Sequence, residues 1–332
     1  MRHNVAPSAA RAGRALTHST GTRINTGMQI GLVGDIHGAW DEQDTRFFNT
    51  AGYDALLLTG DLPRFVGSLP IARALSALTP PAYMIAGNHD ATGLVQLYAE
   101  MADHPRLKRV TALGMPERVA RLAETLSPIT LGAYSRHPLA ENLDLVVARP
   151  HAMGGDRLYF RDYLSRVHGV TDLDGSRAAL CRVIDEAARD IVILAHNGPA
   201  GLGETPDAPF GCDFDPARGD FGDVDLAEAI THARATGHRV RAVVAGHMHH
   251  LSKDGRVWRR TAAVAHDTLY INAARVPRIE NGGARRHHIA LDVTENETTA
   301  ETRWVDADGN IVAREALPVT DDGASPAPVD AL

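Results

Sequence analysis

Five short clusters hold the side chains with the most chemical reach in this 332-residue sequence: Gly34-Asp35-Ile36-His37, Gly60-Asp61, Gly87-Asn88-His89-Asp90, His196-Asn197-Gly198 and Gly246-His247-Met248-His249. Carboxylate, amide and imidazole donors with no thiolate among them suit borderline and hard divalent cations. A carboxylate has two oxygens and several lone pairs, so Asp61 alone can bridge two ions. Two cations about 3.5–4 Å apart form the arrangement used for in-line displacement at phosphorus. Any single pair of this kind is more often a hydrogen-bonded loop pair than a ligand set. Five clusters together carry far more weight.

Side chains so far apart in sequence need a scaffold that returns them to one place. Each cluster follows a short apolar run: residues 28–33, 55–59, 83–86, 191–195 and 240–245. Runs of four to eight apolar residues bounded by Gly and polar residues predict strands buried on both faces. Helical spacing fills the intervals at 68–78, 117–126, 176–188 and 225–235. Alternation of this kind predicts a layered α/β domain whose ligands gather at the carboxyl ends of the strands. Period-two geometry along a strand points Asp35 with His37, and His247 with His249, toward one cavity. After His249 the texture turns to successive strands at 256–260, 268–273, 288–293 and 302–305, and a hairpin is expected from 131–134 and 143–148. One domain with two sheets and outer helices accounts for all of this.

Composition excludes several classes. Hydrophobic residues make up 44% and charged residues 23%, an ordinary globular balance. No apolar stretch is long enough to span a bilayer, and no membrane partner is expected. Cys181 and Cys212 form no CxxC pair and are too few for a disulfide framework, so a reducing compartment is expected. The net charge is −7; residues 1–28 hold four Arg and no acid, leaving 30 basic against 41 acidic groups, or −11, for the rest. That balance argues against a duplex nucleic-acid partner, whose phosphates demand cations. Lys253, Arg256, Arg259 and Arg260 make only one short basic patch. Of the 17 histidines, His104, His137, His168, His232, His238, His266, His287 and His288 read as surface or packing residues, and His250 points away from its neighbour His249.

In order and spacing, the clusters Asp-x-His, Gly-Asp, Gly-Asn-His-Asp, His and Gly-His-x-His resemble the calcineurin-like metallophosphoesterase superfamily over roughly residues 28–275. The resemblance implies two mixed β-sheets packed face to face and flanked by helices, an α/β/β/α sandwich. It implies one metal on Asp35, His37, Asp61 and His249, and a second on Asp61, Asn88, His196 and His247. His89 corresponds to the family's proton donor to the leaving oxygen, and Asp90 to the acid that orients it. The expected activity is hydrolysis of a phosphomonoester or phosphodiester by a hydroxide bridging two divalent ions, which this donor set allows to be Mn, Fe, Zn, Co or Ni. A small phosphorylated substrate fits the acidic body best. The alternative is a catalytically silent phosphate-binding or scaffold protein on the same fold.

Arg64, Arg149 and His151 are the candidate substrate contacts, since arginine suits planar oxyanions and both of the latter follow the mid-chain strand. Residues 197–225 carry Glu204, Asp207, Asp213, Asp215, Asp220, Asp223 and Asp225 against Arg218, and read as a solvated acidic loop or a lid over the site. Its His-Asn-Gly-Pro-x-Gly-Leu-Gly opening resembles a bacterial and plastid-type branch of the superfamily. The domain is placed at residues 28–317, between an extension or presequence at 1–27 and a tail at 318–332. A cytoplasmic location is expected, with organellar import as the other reading of the Arg-rich start.

Overall fold

The computed structural model describes residues 27–211 and 219–318. The expected extension and tail lie almost wholly outside the described residues, as do Cys212, Asp213, Asp215 and Arg218. In chain order, β1 (Met28–Val33), β2 (Ala55–Leu58), β3 (Ala82–Ile85) and β4 (Thr130–Gly132) form a parallel run. The chain then builds a second sheet from β5 (Ser135–Ala140), β6 (Leu143–Val147), β7 (Asp190–Leu194), β8 (Arg239–Ala245), β9 (Ala262–Ala265) and β10 (Thr268–Asn272), ordered β5-β6-β7-β8-β10-β9. It returns through β11 (Ile279–Glu280), β12 (Arg285–Val293), β13 (Thr298–Val305) and β14 (Ile311–Leu317), which join the first sheet antiparallel through β12 on β1.

Alternation along the strands explains the layers. Ile30, Leu32 and Leu57 of the first sheet pack with Leu145, Val147, Ile193 and Ile271 of the second in one core. The other face of the first sheet gives Val33, Leu56 and Leu58 to a separate core with Phe48, Leu122 and Leu126. These last three come from α1 (Glu42–Thr50) and α5 (Met115–Leu126), which lie beside α2 (Leu69–Leu75). Short α3 (Leu94–Met101) and α4 (Pro105–Thr111) stand between β3 and α5. Beyond α6 (Arg161–His168), α7 (Leu173–Asp185) and α8 (Val224–Ala235) bury Leu180, Ile184, Leu226 and Ile230 on the outer face of the second sheet. The expected two-sheet sandwich is the fold. Every central strand is apolar on both faces because each lies between two layers.

Three local expectations are corrected. The hairpin partner of β6 is β5, not residues 131–134, of which Leu131 and Gly132 pair with β3 in the other sheet. Residues 256–260 form no strand beyond an isolated Leu251–Trp258 bridge. Among its described residues the acidic segment is only partly solvated: Leu202, Ala208 and Phe210 are buried, Glu204 and Asp207 are exposed, and α8 begins at Val224. His287 and His288 are packing residues, as expected, and burial holds both rings well below the usual imidazole range.

Candidate metal centre

The seven candidate ligands and His89 follow the carboxyl ends of β1, β2, β3, β7 and β8. The turns that hold them differ from simple strand continuation. Asp35, His37, Asp61 and His247 have φ of +36°, +43°, +51° and +65°, the left-handed region that side-chain-bearing residues rarely adopt. The expected period-two alignment of Asp35 with His37 is therefore replaced by a reversal of backbone that turns both side chains inward. The glycines between clusters allow close approach. A Cβ on Gly87 would fall on Asp61 and His196, and one on Gly246 would fall on Asp35 and Thr59.

Two donor groups result: Asp35, His37 and His249, and Asp61, His196 and His247, each with ligand atoms within 4.8 Å of one another. His37 Nδ1 lies 3.1 Å from the Pro63 carbonyl, and His196 Nδ1 lies 2.7 Å from the Thr59 carbonyl. A carbonyl only accepts, so each Nδ1 carries the proton and each Nε2 presents a lone pair inward. His37 Nε2 stands 3.0 Å from His249 Nε2, and His196 Nε2 stands 3.0 Å from Asn88 Oδ1. The Asp61 Oδ2 atom lies between the groups, 3.8 Å from His37 Nε2 and 3.7 Å from His196 Nε2. Asp35 Oδ2 is 3.4 Å from His249 Nε2.

Electrostatics matches that geometry. Burial would raise Asp35, but the His249 contact and the other imidazoles hold it well below the usual carboxylate range. Asp61 is lowered too, His196 and His89 outweighing its burial. Burial opposes charge on His196, yet Asp61 and Asp35 raise it. Burial and the nearby His196 push His247 down to about 3. Two buried carboxylates thus call for positive charge among lone pairs that converge, and divalent cations on nitrogen and oxygen donors satisfy both demands. The residues fit two metal ions.

The remaining expectations divide. The His89 backbone N–H donates to Asp61 Oδ1 at 2.8 Å, and its ring Nδ1 is 3.0 Å from the Phe65 carbonyl. Asp90 does not orient that ring. Its carboxylate accepts from the backbone N–H groups of Asp61, Leu62 and Gly87 and from the Ser68 hydroxyl, at 2.7–3.1 Å. Burial and the neighbouring Asp61 charge raise it to about 6 against those donors. Asp90 ties the Asp61 turn to the Gly87 turn. Arg64 is exposed at the rim, its Cβ facing Gly38. Residues that sequence reasoning missed are chiefly backbone carbonyls, together with Thr59, whose hydroxyl donates to Asp35 Oδ1 at 3.1 Å.

Arg149 and His151 do not reach the rim, and their expected substrate role is withdrawn. Arg149 is 2% exposed, with Nε on Asp225 at 2.8 Å and Nη2 on Asp223 at 2.8 Å. Burial opposes its charge, but the two carboxylates raise its pKa well above the ordinary value. His151 is fully buried, its Nδ1 against the Gly87 carbonyl at 2.8 Å, and burial lowers it to about 4. His151 braces the Gly87 turn from behind, and Arg149 ties the end of β6 to the start of α8. Replacing Arg149 by Met should lower the unfolding free energy by about 3–5 kcal/mol, because two buried carboxylates lose their partner. Urea titration checks this. Unchanged stability with a raised KM would return Arg149 to the substrate.

The calcineurin-like phosphoesterase profile matches residues 28–251. A symmetrical bis(5'-nucleosyl)-tetraphosphatase of Serratia proteamaculans is 38% identical over 90 residues, which cover 26% of this chain and 31% of that protein. Its counterpart from Sodalis glossinidius is 37% identical over 92 residues, covering 26% and 32%. The matched stretch thus spans about a third of the length of these relatives. Among solved structures, TT1561 of Thermus thermophilus aligns with a TM-score of 0.44 at 9% identity, over 88% of this chain and 99% of that one. The Escherichia coli phosphoesterase Yfce aligns at 0.32 and 14%, over 87% and 100%.

Proposed function

This chain belongs to the calcineurin-like phosphoesterase family of metal-dependent phosphoric ester hydrolases, and on that premise we propose that residues 28–317 form one catalytic unit that hydrolyses a small phosphomonoester or phosphodiester with two divalent ions. The observation that carries the reading is the convergence of two donor groups on Asp61. Asp35, His37, Asp61 and His249 would hold one ion, and Asp61, Asn88, His196 and His247 the other. Bound there, such ions supply Lewis acidity toward phosphoryl oxygens and acidify water.

The protein's own groups do the rest. The Pro63 and Thr59 carbonyls fix two imidazole tautomers, so that Nε2 of His37 and of His196 stays a donor. In His89 the Phe65 carbonyl accepts from Nδ1, so a proton delivered to the departing oxygen would come from Nε2 of the doubly protonated ring, which the consumed water's proton restores. One water is consumed: its oxygen joins phosphorus, the P–O bond to the leaving group breaks, and that oxygen leaves protonated. Arg64 at the rim suits contact with a phosphoryl oxygen. The relatives' names point to nucleotide-like substrates, and the acidic body favours small ones over polyanions.

Hydrolysis of p-nitrophenyl phosphate and its bis ester with Mn²⁺ tests the reading. Turnover should disappear with chelator and return with metal. Absence of turnover with each of the five candidate metals would favour a silent scaffold instead.

A further inference from the structure

Twelve large hydrophobic side chains are exposed among the described residues, and eight of them fall within residues 65–113. On α3, Leu94, Val95, Tyr98 and Met101 are each more than half exposed. Leu94, Tyr98 and Met101 follow i, i+4, i+7 spacing and share a face that no other element covers. Val110 of α4 and Leu113 just beyond it are exposed as well, as are Phe65 and Val66 in the loop after Asp61. Arg118 ties these parts together: it donates to the Ala91 and Leu113 carbonyls and to Gln96 Oε1. Apolar area gathered this way marks an interaction surface, whereas isolated exposed side chains need no explanation.

The charge around it reverses that of the molecule. The chain is −7 overall, yet residues 94–121, which span both helices, carry Arg106, Lys108, Arg109, Arg118 and Arg121 against Glu100, Asp103 and Glu117, a local +2. Lys108 is engaged by Asp103 and Glu100. Arg106, Arg109 and Arg121 are exposed and have no acidic partner among the described residues. Arg106, Arg109 and Val110 stand at i, i+3, i+4, so one face of α4 offers both cations and apolar side chains. Arg64 adds a further cation beside Phe65.

We propose that this α3–α4 face docks on an anionic lipid bilayer, lying on the surface without crossing it. Apolar side chains flanked by arginine are the chemistry that binds such an interface, insertion and charge attraction acting together. A second copy of the chain fits less well, since a two-fold contact of this face would bring two arginine-bearing surfaces together. The expectation of no membrane partner, drawn from the lack of a spanning segment, is thereby narrowed to no spanning. Docking stands apart from the hydrolytic reading.

Flotation of the full chain with vesicles tests this, comparing phosphatidylcholine alone with an equimolar mixture of phosphatidylcholine and phosphatidylglycerol. The protein should partition onto the anionic vesicles only, and less at high salt. Arg106→Ala with Arg109→Ala should weaken partitioning about tenfold or more. Leu94→Asp with Tyr98→Asp should abolish it while metal content and hydrolysis of a soluble ester stay parental, because neither residue belongs to the site. Partitioning that survives both variants would assign binding to another part of the chain and overturn the proposal. So would a failure to bind anionic vesicles, or light scattering that shows a dimer broken by the Asp variant.

Discussion

Replacing Asp61 by Asn should reduce the metal content from about two equivalents to fewer than one and cut turnover by about 10³-fold or more, since a pair of Lewis acids is worth several kcal/mol of barrier. Asn keeps the shape of the side chain and an oxygen for the His89 backbone N–H, so the fold has little to lose. What disappears is one charge shared by two donor groups. Asp61 Oδ2 is the only carboxylate oxygen described within 4 Å of both His37 and His196. Elemental analysis of the purified variant reads the stoichiometry directly. A variant that keeps two equivalents would remove Asp61 from the bridging position and with it the dinuclear reading.

His89→Ala separates chemistry from metal binding. Its ring is fixed by the Phe65 carbonyl and lies outside both donor groups, so the metal content should stay parental. The kcat for an alkyl phosphate should fall by about 10²–10⁴-fold, the usual worth of a positioned general acid. The loss should shrink sharply for a p-nitrophenyl ester, whose leaving group departs without a proton. An equal loss for both esters would recast His89 as a binding residue. Loss of metal would recast it as a ligand.

The ligand clusters were legible because each pairs a chemical type with a strand end, and sequence shows both. Their local geometry was not. Asp35 and His37 meet through left-handed turns, which no alternation rule anticipates. Arg149 was misread because an arginine after a strand looks the same on paper whether it meets substrate or a buried acid. Its partners lie 74 and 76 residues away, inside a segment that resembled a solvated loop. Asp90 sits next to His89 in sequence, and adjacency suggested a pair. In the folded chain its carboxylate points back to the Asp61 and Gly87 turns. The carbonyls of Thr59, Pro63 and Phe65 carry no side-chain signature, so the groups that set the imidazole tautomers could only be seen in three dimensions. The two-sheet sandwich was readable from apolar runs; the strand that pairs with β6 was not, because β5 alternates partly buried and exposed residues and carries a proline.

The left-handed backbone at Asp35, His37, Asp61 and His247 bears on whether the molecule is at work or idle. Such conformations cost roughly 1–2 kcal/mol per residue for most side chains, less for Asn and Asp and least for glycine. Selection for folding alone would ease that tension, with glycine or asparagine as the first remedies. A polypeptide retired to scaffolding has nothing to gain by keeping two aspartates and two histidines where its backbone least wants them. Four donor side chains held that way around one pocket are what a working metal centre would use.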